Sequence, residues 1–265
     1  DIYPNTLVLD VELIEDLITE KTRAIIFVQL FGNTSNLEKL QNICRDSEIV
    51  LIEDAAQSIG SKLNDIHCAS QGDISCLSFD PTKIVSAFGT GGAVLTNNEK
   101  YYNTLKMLIH HGRNDNGEFE ILGYNSKTSE LNVALINLQL KYLQKTIETT
   151  NIIAQKYFSL LHNIKEIKFV EIQENSRSSF HKFVILVEKR DELKVYLSKN
   201  GIETRIHYSP LLHEHKLLKN YRYLFHDLYY SKQIKQKVLS LPIYSGLTNE
   251  EIEYICDSIR KFYKL

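Results

Sequence analysis

The 265-residue chain carries 31 basic and 33 acidic side chains, a net charge of −2, and 43% hydrophobic residues. This balance excludes a basic nucleic-acid binder and a disordered polymer, and the length supports a core without disulfide or metal staples. No apolar stretch approaches the roughly 20 residues of a membrane span, no signal peptide is visible, and the four cysteines lack C-x-x-C spacing, so they read as reduced thiols of a cytoplasmic protein. In chain order, the run Ala24-Ile25-Ile26-Phe27-Val28 within 21–30 predicts a buried strand. Leu37, Leu40, Ile43 and Cys44 then recur at helical spacing over 37–46, with Asn36 as the expected N-cap. Further short apolar runs at 48–52, 74–79 and 93–96 predict three more strands. Strands alternating with helices imply an α/β unit with a mostly parallel sheet, whose ligands gather beyond the carboxyl ends of the strands.

Residues 129–159 are the longest helical stretch, expected to break near Thr149-Thr150-Asn151 and to join two domains. Beyond it the sequence predicts a strand at 181–187, a helix at 190–200 closed by Gly201, a strand at 202–206, and helices at 230–240 and 248–263. The last opens on a capping box, Thr248 with Glu251. The division expected is a large domain over 1–148 and a small α+β domain over 149–265 with the rhythm of a split-βαβ unit.

Three strand ends carry chemistry: 29–32, 53–57 and 78–83. Asp54 reads either as a solvated loop acid or helix N-cap, or as a partner for a ligand cation. A Walker B acid is excluded because G-x-x-x-x-G-K-[ST] is absent, and so is G-x-G-x-x-G. Lys83 follows the 74–79 strand and precedes Gly89-Thr90-Gly91-Gly92, a density of glycine that marks either a hairpin or a close backbone approach. A lysine desolvated at a strand end is an amine nucleophile able to form a Schiff base. His207, His213 and His215 lie close in sequence, but no third metal ligand is specified and H-E-x-x-H is absent. No G-x-S-x-G elbow exists for a hydrolase.

Taken in order, Glu53-Asp54-Ala55-Ala56-Gln57-Ser58, Gly72-Asp73-Ile74, Ser78-Phe79-x-x-x-Lys83 and Gly89-x-Gly91-Gly92 resemble the DegT/DnrJ/EryC1/StrS aminotransferases. The resemblance continues through His111-Gly112, Gly123-Tyr124-Asn125, Gly201-Ile202-x-Thr204-Arg205-Ile206-His207-Tyr208 and Leu239-Ser240-Leu241-Pro242. It implies fold type I of the pyridoxal 5'-phosphate (PLP) transferases, a mixed and mostly parallel sheet in the large domain. It also implies an amino group passed from an amino acid, expected to be glutamate, to a nucleotide-linked keto sugar of surface-glycan or deoxyaminosugar biosynthesis.

By the same resemblance Lys83 would hold PLP as an imine and shuttle the proton, and Asp54 would pair with the pyridinium nitrogen. Gln57 would contact the ring, Ser78 the phosphate, and Asn125 the phosphate of a neighbouring subunit's cofactor, so a homodimer with shared active sites is implied. Lys127, His207 and Tyr208 would face the substrate. The sequence departs from the family at Gln29 and Asp80, expected on the substrate side, and at Thr90 and Lys127. Its opening residues, Asp1 to Thr6, resemble an internal segment of the family, so the large domain is expected to lack its N-terminal phosphate loop. A second reading is a truncated, non-catalytic remnant that keeps the fold and dimer surface. No metal, nucleic acid or membrane is implied.

Overall fold

The computed structural model describes residues 1–220 and 227–264. Its first layer is built from β1 (Ala24–Val28), α1 (Leu37–Asp46), β2 (Val50–Asp54), the small hairpin β3 (Lys62–Leu63) and β4 (Ile66–His67), then β5 (Ile74–Ser78), β6 (Gly92–Leu95) and α2 (Glu99–Leu108). The main sheet runs β1-β2-β5-β6, with the first three strands parallel and β6 antiparallel. This is the mixed, mostly parallel sheet expected. Register aligns Val28 with Asp54 and Asp54 with Cys76, so the three carboxyl ends open on one edge.

α1 holds its predicted bounds, and Leu37, Leu40, Ile43 and Cys44 all face the core. Asn36 stands at its N-cap position, but in a left-handed conformation with no capping bond from its side chain. β1 is not the fully buried strand expected. Phe27 packs against Leu37, Leu40 and Leu51, while Ile26 and Val28 on the opposite face are 62% and 40% exposed.

The long helix is two helices, α3 (Glu130–Leu140) and α4 (Leu143–Leu161), and the break falls at Lys141–Tyr142. Thr149, Thr150 and Asn151 do not interrupt α4. Thr150 Oγ1 donates to the Ser179 carbonyl at 3.2 Å and Asn151 Nδ2 to the Ser178 carbonyl at 3.0 Å, so these polar groups clamp a neighbouring segment. Residues 148 and 149 lie inside α4. Its first turns pack Ile147 on Gly60, and its later turns enter the C-terminal core.

That core joins α4 to β7 (Ile167–Phe169), β9 (Phe183–Val187), α5 (Arg190–Lys199), β10 (Val238–Leu241) and α7 (Asn249–Tyr263). Between β7 and β9, β8 (Ser176–Arg177) pairs with β3, and α6 (Tyr229–Ile234) precedes β10. The sheet runs β10-β9-β7, antiparallel throughout, so β9 and β10 pair directly across the α5 connection instead of forming a split-βαβ. The α7 capping box is present.

Two expectations fail here. Residues 202–206 contribute a single bridge, Arg205 to Ser240, and no strand. The helix predicted over 230–240 stops at Ile234, because Val238 to Leu241 are buried and their backbone pairs with β9. In the short run Val238-Leu239-Ser240-Leu241, pairing and burial outweigh helical periodicity. The four cysteines are unbonded. Burial pushes the thiols of Cys44 and Cys68 up to about 11 and that of Cys256 to about 12.

Candidate active site

The loop after β5 carries Lys83, and its shape is imposed by side chains on both sides. Phe79, Val85 and Ala87 bury against Ile136 of α3. On the same helix, Gln139 bonds both the amide and the carbonyl of Ser86, at 3.0 and 2.6 Å. Asn132 does the same for Phe88, at 3.1 and 3.2 Å. The two amides, seven residues apart and hence on one helix face, act as a substitute strand for the loop. Between these anchors Lys83 is half-buried, its backbone N–H closing a turn on the Asp80 carbonyl at 2.9 Å. Burial lowers the pKa of its ammonium, and Asp80 and Asp54 offset this in part. Among the described residues no hydrogen bond or ion pair occupies its amine.

Asp54 ends β2 and accepts the Ala56 N–H at 3.1 Å. One turn on, Gln57 is held at both ends of its amide. Its Oε1 accepts the Phe31 N–H at 3.0 Å, and its Nε2 donates to the Tyr208 hydroxyl at 2.9 Å. Tyr208 thereby brings the 202–208 segment over the strand ends. Burial raises the Tyr208 phenol, the Gln57 bond lowers it, and nearby Asp54 raises it. His207 Nδ1 lies 2.8 Å from Ser240 Oγ, and burial with Lys182 and Arg205 brings this imidazole down to about 4. Ser78 ends β5, and its Oγ accepts the Asp80 N–H at 3.3 Å. Gln57 and Tyr208 are thus joined by a hydrogen bond, with Asp54 within electrostatic reach of Lys83 and Tyr208.

Asn125 and Lys127 stand elsewhere, exposed on the loop after α2. Asn125 bridges to His110 by its backbone. The loop is pinned where Gly112 and Gly123 meet. A Cβ on Gly112 would lie 1.7 Å from the Ile121 carbonyl oxygen, and one on Gly123 would lie 2.0 Å from the Gly112 nitrogen. Only glycine fits at either position, which explains the His111-Gly112 and Gly123-Tyr124-Asn125 pieces of the sequence pattern.

Gln29 is a correction. It is fully buried and turned inward, donating to Glu53 at 2.6 Å and accepting from the Ser58 hydroxyl, so it lies behind the site and not on the substrate side. Asp80 folds back on its own turn, accepting from the N–H and hydroxyl of Thr82 at 3.0 and 2.7 Å.

Sequence reasoning missed the group that holds this region together. Glu53, wholly buried, accepts from Gln29 Nε2 (2.6 Å), the N–H groups of Ala69 (3.0 Å), Gln71 (2.7 Å) and Gly72 (2.5 Å), and Ser75 Oγ (2.9 Å). Five donors on one carboxylate satisfy a charge that would otherwise be very costly to bury. It also missed His181 and Lys182, whose signal was two basic side chains at the mouth of an apolar strand.

The amine, carboxylate, hydroxyl and amide of Lys83, Asp54, Ser78 and Gln57 are the donor set a pyridine-aldehyde phosphate needs. The DegT/DnrJ/EryC1/StrS aminotransferase family matches residues 1–260. The chain belongs to this family. Members similar to it include a "pleiotropic regulatory protein" of Geobacillus stearothermophilus, 32% identical over 100% of this chain and 72% of the relative. The dTDP-4-amino-4,6-dideoxy-D-glucose transaminase of Shigella dysenteriae is 32% identical over 94% of this chain and 68% of its own. Among solved structures, NtdA of Bacillus subtilis with bound cofactor PMP superposes with a TM-score of 0.90 at 28% identity, covering 100% of this chain and 62% of that one. The fold is that of the PLP-dependent members of the DegT/DnrJ/EryC1/StrS family.

Proposed function

We propose that this DegT/DnrJ/EryC1/StrS protein transfers an amino group from an amino acid, glutamate by preference, to a keto group on a nucleotide-linked sugar, with PLP as cofactor. The observation that carries the reading is Lys83. A half-buried amine of lowered basicity, held by a braced loop, faces Asp54 at the carboxyl edge of a parallel sheet. When bound, PLP supplies an electron sink for the bond changes at the amino-bearing carbon.

The chain's own residues divide the remaining work. Lys83 Nζ would hold the cofactor and would serve as the group that moves a proton at the substrate carbon. The Asp54 carboxylate holds a proton on the ring nitrogen. Gln57, fixed by Phe31 and Tyr208, bounds the ring, and Ser78 Oγ donates to the phosphate. His207 and Tyr208 close the substrate side. The chemistry of this reading divides the chain at 148/149 into a cofactor-binding part and a smaller C-terminal part that brings Tyr208.

A homodimer belongs to the same reading. Asn125 and Lys127 sit on an exposed loop, and Phe119, Leu122 and Leu131 nearby in sequence are 72%, 97% and 71% exposed. A second copy covering this surface would let Asn125 reach its cofactor phosphate and Lys127 its substrate. Unbonded cysteines and a nucleotide-linked substrate support a cytoplasmic site. No helix among the described residues is long and apolar enough to cross a membrane.

Borohydride reduction of the chain incubated with PLP, followed by peptide mass mapping, tests the central assignment. Label is expected on Lys83. Label on other lysines with none on Lys83 would remove it.

A further inference from the structure

All five residues of β9 are buried, yet the residue leading into it, Lys182, is a half-buried cation. Strand register locates it. Val184 pairs with Ser240, and the Ser240 backbone pairs with Arg205. Lys182 lines one small cavity with Phe31 and Val184, Val184 shares its face with the paired Ser240 and Arg205, and His207 joins this group through its bond to Ser240 Oγ. Val184 packs with Phe31 on this face, beside Gln57.

Positive charge converges there. Lys182 lies within electrostatic reach of Lys83 and Arg205, and His181 within reach of Lys182, Lys83 and His207. Burial followed by these like charges lowers the Lys182 ammonium and brings His181 down to about 3. The nearby carboxylates have other partners: Asp54 accepts the Ala56 N–H, Asp80 accepts from Thr82, and Glu203 pairs with Arg205. Among the described residues no acceptor bonds the Lys182 ammonium. A part-buried cation among cations is unfavourable unless an anion completes it.

We infer that Lys182 binds the carboxylate of the amino donor, beside the amine at which nitrogen is exchanged. This rests on the reading of Lys83 as that amine. Two substrates offer an oxyanion, and their covalent structures separate them. In an amino acid the carboxylate is bonded directly to the carbon that surrenders nitrogen. In a nucleotide-linked sugar the ring stands between the keto carbon and the diphosphate. A cation within electrostatic reach of Lys83 therefore suits the carboxylate.

Calorimetric titration of the full chain with glutarate, a dicarboxylate with no amine to exchange, and separately with UDP, tests this. Wild type is expected to bind glutarate, and Lys182→Met to weaken that binding roughly tenfold or more, the effect of losing one charge-assisted hydrogen bond. Lys182→Arg, which keeps the charge and guards against a folding defect, should stay within about threefold, and UDP should change less than about twofold in both variants. Four results would overturn the proposal: no glutarate binding by wild type, equal binding by Lys182→Met, no rescue by Lys182→Arg, or a loss of UDP binding as large as that of glutarate. Borohydride mapping on the same samples judges the cofactor reading separately. Unlabelled Lys83 with Lys182-dependent glutarate binding would remove that reading and leave the anion site.

Discussion

β9 buries all five of its side chains, whereas β1, an equally apolar five-residue strand, buries only Phe27. β9 lies between β10 and β7. Phe183, Ile185 and Val187 enter a core shared with α4 and α7, and Val184 and Leu186 pack with Leu7 and Phe31. β1 meets α1 on one side and leaves Ile26 and Val28 on the other. The C-terminal sheet is thus held by hydrophobic burial on two faces. The N-terminal sheet has one apolar face and leans on a polar network, the five donors around Glu53.

The largest expected effect attacks the polar anchor. Glu53→Ala leaves Gln29, Ser75 and three backbone N–H groups without their acceptor, and breaking a buried charged network of this kind costs about 3–5 kcal/mol. Urea unfolding of the variant measures it. A loss below about 1 kcal/mol would show that the sheet does not depend on this carboxylate.

Matched truncations on the two strands sharpen the contrast. Ile185→Ala, at 0% exposure, should cost about 2–5 kcal/mol, and Ile26→Ala, at 62% exposure, less than about 0.5 kcal/mol. Similar losses at the two sites, read from denaturant midpoints, would mean that Ile26 is buried in solution and that the contrast between the two strands does not hold.

Acid should act through the seam between the two sheets. His181 titrates near 6.5 when unfolded and at about 3 when folded, because burial and the neighbouring cations disfavour its charged form. Between these values the unfolded chain binds the extra proton, so stability rises with pH there. The contribution is complete above about 6.5 and is lost as pH falls, by up to about 1.4 kcal/mol per unit. His181→Gln should flatten the stability profile between pH 6 and 4 relative to wild type. Parallel profiles would place His181 outside the linkage.

The sequence made strands and chemistry legible for different reasons. Period and burial are local, so α1 and α7 were bounded closely, and Asp54 and Lys83 could be placed at strand ends from the apolar runs before them. What failed depended on partners far along the chain. Thr150 and Asn151 look like helix breakers until Ser178 and Ser179 are seen to accept their hydrogen bonds. Val238 to Leu241 look helical until β9 lies beside them. Glu53 received no role, since nothing local reveals that donors from residues 29, 69, 71, 72 and 75 converge on it. Lys182 was missed because its like-charged neighbours, Lys83 and Arg205, arrive from two separate segments.

The smallest expected effect lies on the exposed side of the comparison. Asn125 makes its bridge to His110 through the backbone, so Asn125→Ala should leave stability within about 0.5 kcal/mol. If its amide reaches a phosphate across a dimer, PLP affinity followed by absorbance should fall about three- to tenfold, the worth of one hydrogen bond. The difference between wild type and variant should also shrink on dilution, because a contact made in the dimer contributes nothing to separated chains. A difference that persists undiminished at concentrations where the chain is monomeric would place the contact within one subunit. An unchanged affinity at every concentration would mean that the loop pinned by Gly112 and Gly123 serves the fold and not the cofactor.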